Sequence, residues 1–235
     1  MYSFKSRVRY SESDSECRMT FPALLNYFQD CCTFQSEDLE IGIDFLAKKH
    51  TAWMLIAWQV VVKQRPMFGE EITVTTWPYD FKGFYGYRNF KMERKDGTLL
   101  AYANSVWAYM DMQTMRPCRL DQELLEAYRM EPRLEMEYAD RKIALPAESE
   151  GRDAFAVHPS QIDTNGHVNN ERYIEMAQQY LRKDFEIAEM RADYRKSAVL
   201  GDTICPYVAE DGNKVTVTLA DEQKKPYAVV EFYGR

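Results

Sequence analysis

The feature that most narrows the folds open to this chain is an order of hydrophobic patterns that occurs twice. Residues 4–10 alternate, with Phe4, Ser6, Val8 and Tyr10 on one side and Lys5, Arg7 and Arg9 on the other, as a half-buried strand does. A polar turn follows at residues 11–16, then a helix with Thr20 as cap and Pro22 in its first turn. Leu24, Tyr27, Phe28, Cys31 and Phe34 recur at helical spacing, so this helix is expected to bury that face. Four strands come next, at residues 52–62, 72–77, 87–94 and 99–109, with Asp96-Gly97 as a hairpin turn between the last two.

The same inventory returns after residue 151. Residues 155–158 read as a short strand, a polar turn centres on Asp163, and a helix begins near Asn170 with Tyr173, Met176, Ala177 and Tyr180 on its apolar face. Strands at 189–196, 203–208, 214–219 and 227–233 complete the set. Val62-Lys63 through Gly69-Glu70 parallels Tyr194-Arg195 through Gly201-Asp202 at an offset of 132, and Asp14 matches Asp163 at an offset of 149. The first copy therefore holds about 17 extra residues, which are expected in the connecting loop after its helix. The division that results is an N-terminal domain over 1–115, a proline-bearing acidic linker over 116–151 with some helix near Leu124 to Tyr128, and a C-terminal domain over 152–235.

Charge and cysteine content exclude several functions. A formal charge of −7 gives no basic surface for nucleic acid or for an anionic membrane, and no apolar run is long enough to span a bilayer. The start, Met1-Tyr2-Ser3-Phe4-Lys5, has no apolar signal core, so a cytoplasmic location is expected. Five cysteines without a CxxC spacing are expected to be reduced and mainly structural. Neither a metal nor a cofactor is expected, because His50, His158 and His167 lack metal-ligand spacing.

Chemistry concentrates in Ile162-Asp163-Thr164-Asn165-Gly166-His167-Val168-Asn169-Asn170. A carboxylate, a carboxamide and an imidazole occupy alternate positions just before a helix start, where free N–H groups and the helix dipole favour developing negative charge. Asp, Asn and Gly are also ordinary turn and cap residues. The first copy, however, has Asp14, Glu16 and Arg18 at the positions of Asp163, Asn165 and His167, a difference that a purely structural turn gives no reason for.

With the Asp-x-Asn-x-His-Val-Asn-Asn run, Tyr173-Ile174 after it, Asn104-Ser105-Val106-Trp107, Arg116-Pro117 and Asp193-Tyr194-Arg195-Lys196, the chain resembles the acyl-ACP thioesterases of the plant FatA/FatB and bacterial type over nearly its whole length. The resemblance implies an α+β fold of two tandem hot-dog domains, each an antiparallel β-sheet wrapped around a long central helix. It also implies hydrolysis of the thioester that joins a fatty acyl chain to the phosphopantetheine arm of acyl carrier protein (ACP), in fatty acid biosynthesis. Carried over residue by residue, the catalytic positions are Asp163, Asn165 and His167. Asp163 would orient Asn165 or activate water, and His167 would assist proton transfer or polarise the carbonyl. Plant members have a further acidic residue where this chain has Ser197, and a cysteine where it has Ala198.

The remaining candidates rank lower. His158 is expected as a structural histidine on the strand before the motif, and His50 as a solvated loop residue. Residues 81–87, with Phe81, Phe84, Tyr85 and Tyr87, either border an acyl pocket or have a core or loop role. Arg182, Lys183, Arg191, Arg195 and Lys196 are the expected docking surface for an acidic ACP. Two rivals stay open, an acyl-CoA thioesterase of the hot-dog type and an acyl-binding or regulatory module without turnover. The oligomeric state is also open, a homodimer included.

Overall fold

A computed structural model describes residues 1–163 and 165–235. The chain divides into two compact units, Met1–Leu55 with Val60–Tyr138, and Ile56–Gln59 with Ala139–Arg235.

The first unit holds β1 (Tyr2–Arg7), α1 (Phe21–Asp38), α2 (Ile43–Lys48), β2 (Thr51–Val62) apart from its middle residues Ile56–Gln59, β3 (Glu71–Lys82), β4 (Tyr85–Arg94), β5 (Leu99–Asp111), β6 (Arg116–Pro117) and α3 (Gln122–Ala127). Its sheet runs β1-β3-β4-β5-β2, with β6 on β5. The hairpin between β4 and β5 turns where expected, at Asp96-Gly97, with Gly97 at φ 87°. Helix α1 starts where the sequence places it, because Thr20 Oγ1 accepts the Ala23 N–H at 3.3 Å and Pro22 costs no hydrogen bond in the first turn. Leu24, Tyr27, Phe28 and Cys31 are buried as expected. Phe34 is not: it stays 44% exposed and meets Phe4 edge-on with ring centroids 5.5 Å apart.

The second unit holds β7 (Glu150–Gly151), β8 (Phe155–Ala156), α4 (Asn170–Gln178), β9 (Ile187–Tyr194), β10 (Thr203–Asp211), β11 (Lys214–Ala220) and β12 (Pro226–Gly234). Its strand order is β7-β10-β11-β12-β9, with β8 also on β10. The two orders are the same one, and so is the edge register. Arg7 opposite Glu71 and Ser6 opposite Ile72 become Ala156 opposite Thr203 and Phe155 opposite Ile204 at the offsets read from the sequence. Each unit is an antiparallel sheet with one main helix, the tandem hot-dog arrangement that was expected.

Several expectations are corrected. β1 ends at Arg7, and Tyr10 is 84% exposed in a 3-10 turn, since the chain must leave the sheet to build the loop ahead of α1. The extra residues of the first copy do not sit in a connecting loop alone. α1 has eighteen residues against nine in α4, and the six-residue α2 has no counterpart. Tyr180 therefore lies beyond the end of α4 instead of on its face. His158 is exposed and caps a 3-10 turn, its N–H bound to Gln161 Oε1 at 2.8 Å, so it lies beyond the end of the strand on which it was expected.

Segment 116–151 is anchored at both ends. Leu124 and Tyr128 are buried with Ile41 and Tyr109 in the first unit, and Phe81 packs against that cluster. Asn89 Oδ1 accepts the Leu134 N–H at 3.0 Å and the Tyr138 hydroxyl at 2.9 Å. In the second unit, Ile143 is buried and donates its N–H to Asp193 Oδ2 at 3.3 Å. Phe81 is thus partly buried against the core, whereas the Phe84 and Tyr85 rings meet at a tilt beside the tight turn at Gly83, whose φ is 65°.

These burial differences fix an expected contrast. Phe28→Ala should cost about 3–5 kcal/mol in urea unfolding because its ring is fully enclosed, whereas Phe34→Ala should cost less than about 1 kcal/mol. Equal losses would contradict the assignment of the α1 face.

Candidate active site

The motif folds into a loop whose centre is the Asp163 carboxylate. Oδ1 accepts the N–H of Asn165 at 2.8 Å and of His167 at 3.2 Å. The backbone closes the same ring, with Asp163 N–H to His167 O at 2.7 Å and Gly166 N–H to Asp163 O at 3.1 Å. Gly166 takes φ 78°, and a Cβ there would meet nothing within 4 Å, so the requirement at this position is conformational and not steric. Thr164 lies outside the described residues.

Two further ties seat the loop on the fold. Val168 donates its N–H to Ala198 O at 2.9 Å, and His167 pairs as a bridge with Val199. Ala198 N–H in turn donates to the Tyr173 hydroxyl at 2.8 Å, and the Tyr194 hydroxyl donates to Asn170 O at 3.0 Å. Burial pushes the Tyr173 phenol up to about 12, so it stays neutral and able to accept that bond at any ordinary pH. Asn169 caps α4, its Oδ1 accepting the Glu171 N–H at 3.1 Å.

The three sequence-predicted residues thus share one turn, with Asn165 exposed and Asp163 and His167 half-buried. Among the described residues, neither the Asn165 carboxamide nor the His167 imidazole meets a hydrogen-bond partner. Two polar side chains on a fixed backbone are in this way left available to a ligand.

The first unit contains the same loop without those side chains. Asp14 Oδ1 accepts the N–H of Glu16 at 2.9 Å and of Arg18 at 3.0 Å, Asp14 N–H reaches Arg18 O at 2.8 Å, and Cys17 takes the left-handed position with φ 59°. Met19 N–H donates to Pro66 O at 2.8 Å and Arg18 bridges Met67, which maps Pro66 onto Ala198 and Arg65 onto Ser197. Arg65 Nη1 binds Asp14 Oδ2 at 2.6 Å. Burial disfavours the Asp14 carboxylate, yet the N–H groups of Arg18 and Glu16 and the Arg65 guanidinium outweigh it and hold its pKa below the usual carboxylate range.

One residue near the motif escaped the sequence reading. Glu171, in the first turn of α4, is only 7% exposed, with Arg172 Nε 3.4 Å from its carboxylate. Its signal was available: the matching residue of the first copy is the apolar Pro22. The expected basic docking surface is largely compensated inside its own unit. Arg191 pairs with Glu231 at 2.7 Å, Arg195 with Asp193 at 2.9 Å and Lys196 with Asp221 at 3.4 Å, while Arg182 lies 3.9 Å from Asp184 and, like Lys183, is exposed. No helix among the described residues is long and apolar enough to cross a membrane, and no three His, Cys, Asp or Glu side chains among them gather as a metal site.

The Asp14 shift gives an expected pH dependence. A depressed folded-state pKa adds stability that is present above the ordinary carboxylate value near about 4 and is lost as pH falls through the lower folded value. Asp14→Ala should therefore be destabilised at pH 7, with a deficit that shrinks in denaturant titrations as pH drops below about 4. A deficit unchanged down to pH ~2 would contradict the ion-pair account.

Residues 1–128 match the acyl-ACP thioesterase N-terminal domain and residues 145–228 the acyl-ACP thioesterase C-terminal domain. Among curated relatives, the chain is 28% identical over 215 residues to a chloroplastic palmitoyl-acyl carrier protein thioesterase of Gossypium hirsutum, covering 83% of this chain and 52% of that one. The chain spans about half the length of the curated relatives it matches first. Among solved structures it is similar to an acyl-ACP thioesterase from Bacteroides thetaiotaomicron, with a TM-score of 0.90, 23% identity, and coverage of 99% of this chain and 97% of that one. It is also similar to the 12:0-ACP thioesterase from Umbellularia californica, with a TM-score of 0.87, 15% identity, and coverage of 100% and 96%. These likenesses carry the fold, and the two domain matches, which together span most of the sequence, show that the chain belongs to the acyl-ACP thioesterase family.

Proposed function

We propose that the protein hydrolyses fatty acyl-ACP to free fatty acid and ACP, and that Asp163, Asn165 and His167 do the work. The observation that supports this reading most is the contrast between the two loops. Both have one backbone, but in the first the polar side chains are tied to each other and in the second the carboxamide and imidazole are open.

The chemistry follows from that openness. Hydrolysis of a thioester passes through a tetrahedral intermediate whose former carbonyl oxygen carries negative charge. Donors already fixed in place stabilise that charge without reorganising, and removal of one such donor typically slows the reaction by about 100- to 1000-fold. In this reading the Asn165 amide and the His167 ring N–H face the thioester oxygen, and Asp163 Oδ1 keeps both residues in register through their backbone N–H groups. Ser197 is not given the role of nucleophile, since no described base side chain is bonded to it.

Several further parts belong to the same proposal. The partner is ACP bearing an acyl phosphopantetheine thioester, approaching cations such as Arg182 and Lys183. The domains keep the limits 1–115 and 152–235 with 116–151 between them, the location is cytoplasmic, and a homodimer remains compatible with the fold. No metal or other cofactor takes part in the proposed reaction.

The test is release of free thiol from purified protein supplied with acyl-ACP and, separately, acyl-CoA. His167→Ala and Asn165→Ala should each lower kcat by about 100-fold or more while circular dichroism stays native, and His158→Ala should leave the rate unchanged. Equal kcat/KM for both carriers would favour the acyl-CoA rival. Binding of an acyl thioester without turnover would favour the non-catalytic module. Full activity in both site variants would remove the assignment.

A further inference from the structure

The thioesterase reading leaves open which group activates water, and the first loop, as a silent copy, indicates where to look. There the Asp14 carboxylate is used on both sides: Oδ1 holds the turn and Oδ2 is capped by Arg65 Nη1 at 2.6 Å, while the same Nη1 reaches Met19 O at 3.2 Å. In the second loop Asp163 Oδ1 holds the identical turn, and the matching position on the neighbouring segment is Ser197, by the paired bonds of Met19 to Pro66 and Val168 to Ala198. A serine side chain is far too short to cross the gap that Arg65 spans. Among the described residues no cation meets Asp163 Oδ2. Ser197 and Asp163 are both half-buried, so each keeps part of its surface in contact with solvent.

We infer that Ser197 is a positioning residue for the hydrolytic water: its brevity leaves Asp163 Oδ2 uncapped as the general base, and its hydroxyl holds the water against that oxygen. This rests on the thioesterase reading. In the step itself, Oδ2 takes a proton from the water as the water oxygen bonds to the thioester carbon. The C–S bond then breaks, and the same proton passes from the Asp163 carboxyl to the departing pantetheine sulfur, giving a carboxylic acid and a thiol. Asp163 returns to its ionised form, and no further reactant is needed.

The first copy supplies the decisive substitution. Ser197→Arg transplants the ion pair of the silent loop and should lower kcat for acyl-ACP by at least ~100-fold without lowering the melting temperature. A crystal structure of that variant should show its guanidinium on Asp163 Oδ2. Ser197→Ala, which folds without a new charge, should lower kcat by about tenfold with KM unchanged, as expected for loss of a group that acts only on the water. If wild type is active and Ser197→Arg keeps its rate, or if its guanidinium lies away from Asp163, the inference is overturned while the thioesterase reading stands. Ser197→Ala at full rate overturns the water-holding role even if Ser197→Arg fails to fold. A wild-type chain inactive on every thioester overturns the thioesterase reading and this inference with it.

Discussion

One carboxylate oxygen accepting two backbone N–H groups is the interaction on which both halves of this molecule depend. At Asp14 and at Asp163 it gathers five residues into a turn, satisfies N–H groups that would otherwise point at solvent ahead of a helix, and fixes where the intervening side chains project. Each such bond is modest, about 1 kcal/mol net, but it is multiplied by the cap that follows it, Thr20 in one copy and Asn169 in the other. The turn is therefore a structural device first. In the proposed function, chemistry enters one copy through residues that the turn does not need, Asn165 and His167, on the backbone pattern that both copies share.

That separation explains what the sequence could reveal. The order of elements was legible because alternation and helical spacing are local, and the cap at Thr20 with Pro22 after it marks a helix start by chemistry alone. The internal match at offsets 132 and 149 was legible because register is conserved down to the pairing of Arg7 with Glu71 and of Ala156 with Thr203. The turn that gathers Asp163, Asn165 and His167 was legible as a set of residues. How the turn closes was not, because which oxygen of Asp163 meets which N–H is a matter of three-dimensional closure.

The misplacements have equally specific causes. Phe34 fits the spacing of the buried face of α1, but the sheet covers it only in part, through Phe4 on its edge strand, and spacing carries no information about where a partner surface ends. The extra length of the first copy went into nine further residues of helix and a second short helix, which no loop rule anticipates. The basic residues of the second unit looked like a docking patch in one dimension, yet Glu231 and Asp221 approach them from another strand and a turn, and Asp193 pairs with Arg195 from two residues away on the same segment. Paired surface charges of this kind add little stability, about 0–1 kcal/mol each, but they change what an acidic partner would meet.

The central claim is that the second loop receives the thioester and the first does not. It is tested most directly by a crystal structure of the protein with an acyl-pantetheine in which the thioester sulfur and its carbonyl are retained as a non-hydrolysable ketone analogue. The account predicts the analogue oxygen within hydrogen-bond distance of the Asn165 amide and the His167 ring, with the first loop empty and its Arg65–Asp14 pair intact. An analogue seated on the loop around Asp14, or bound with Asn165 and His167 turned away from its oxygen, would contradict it.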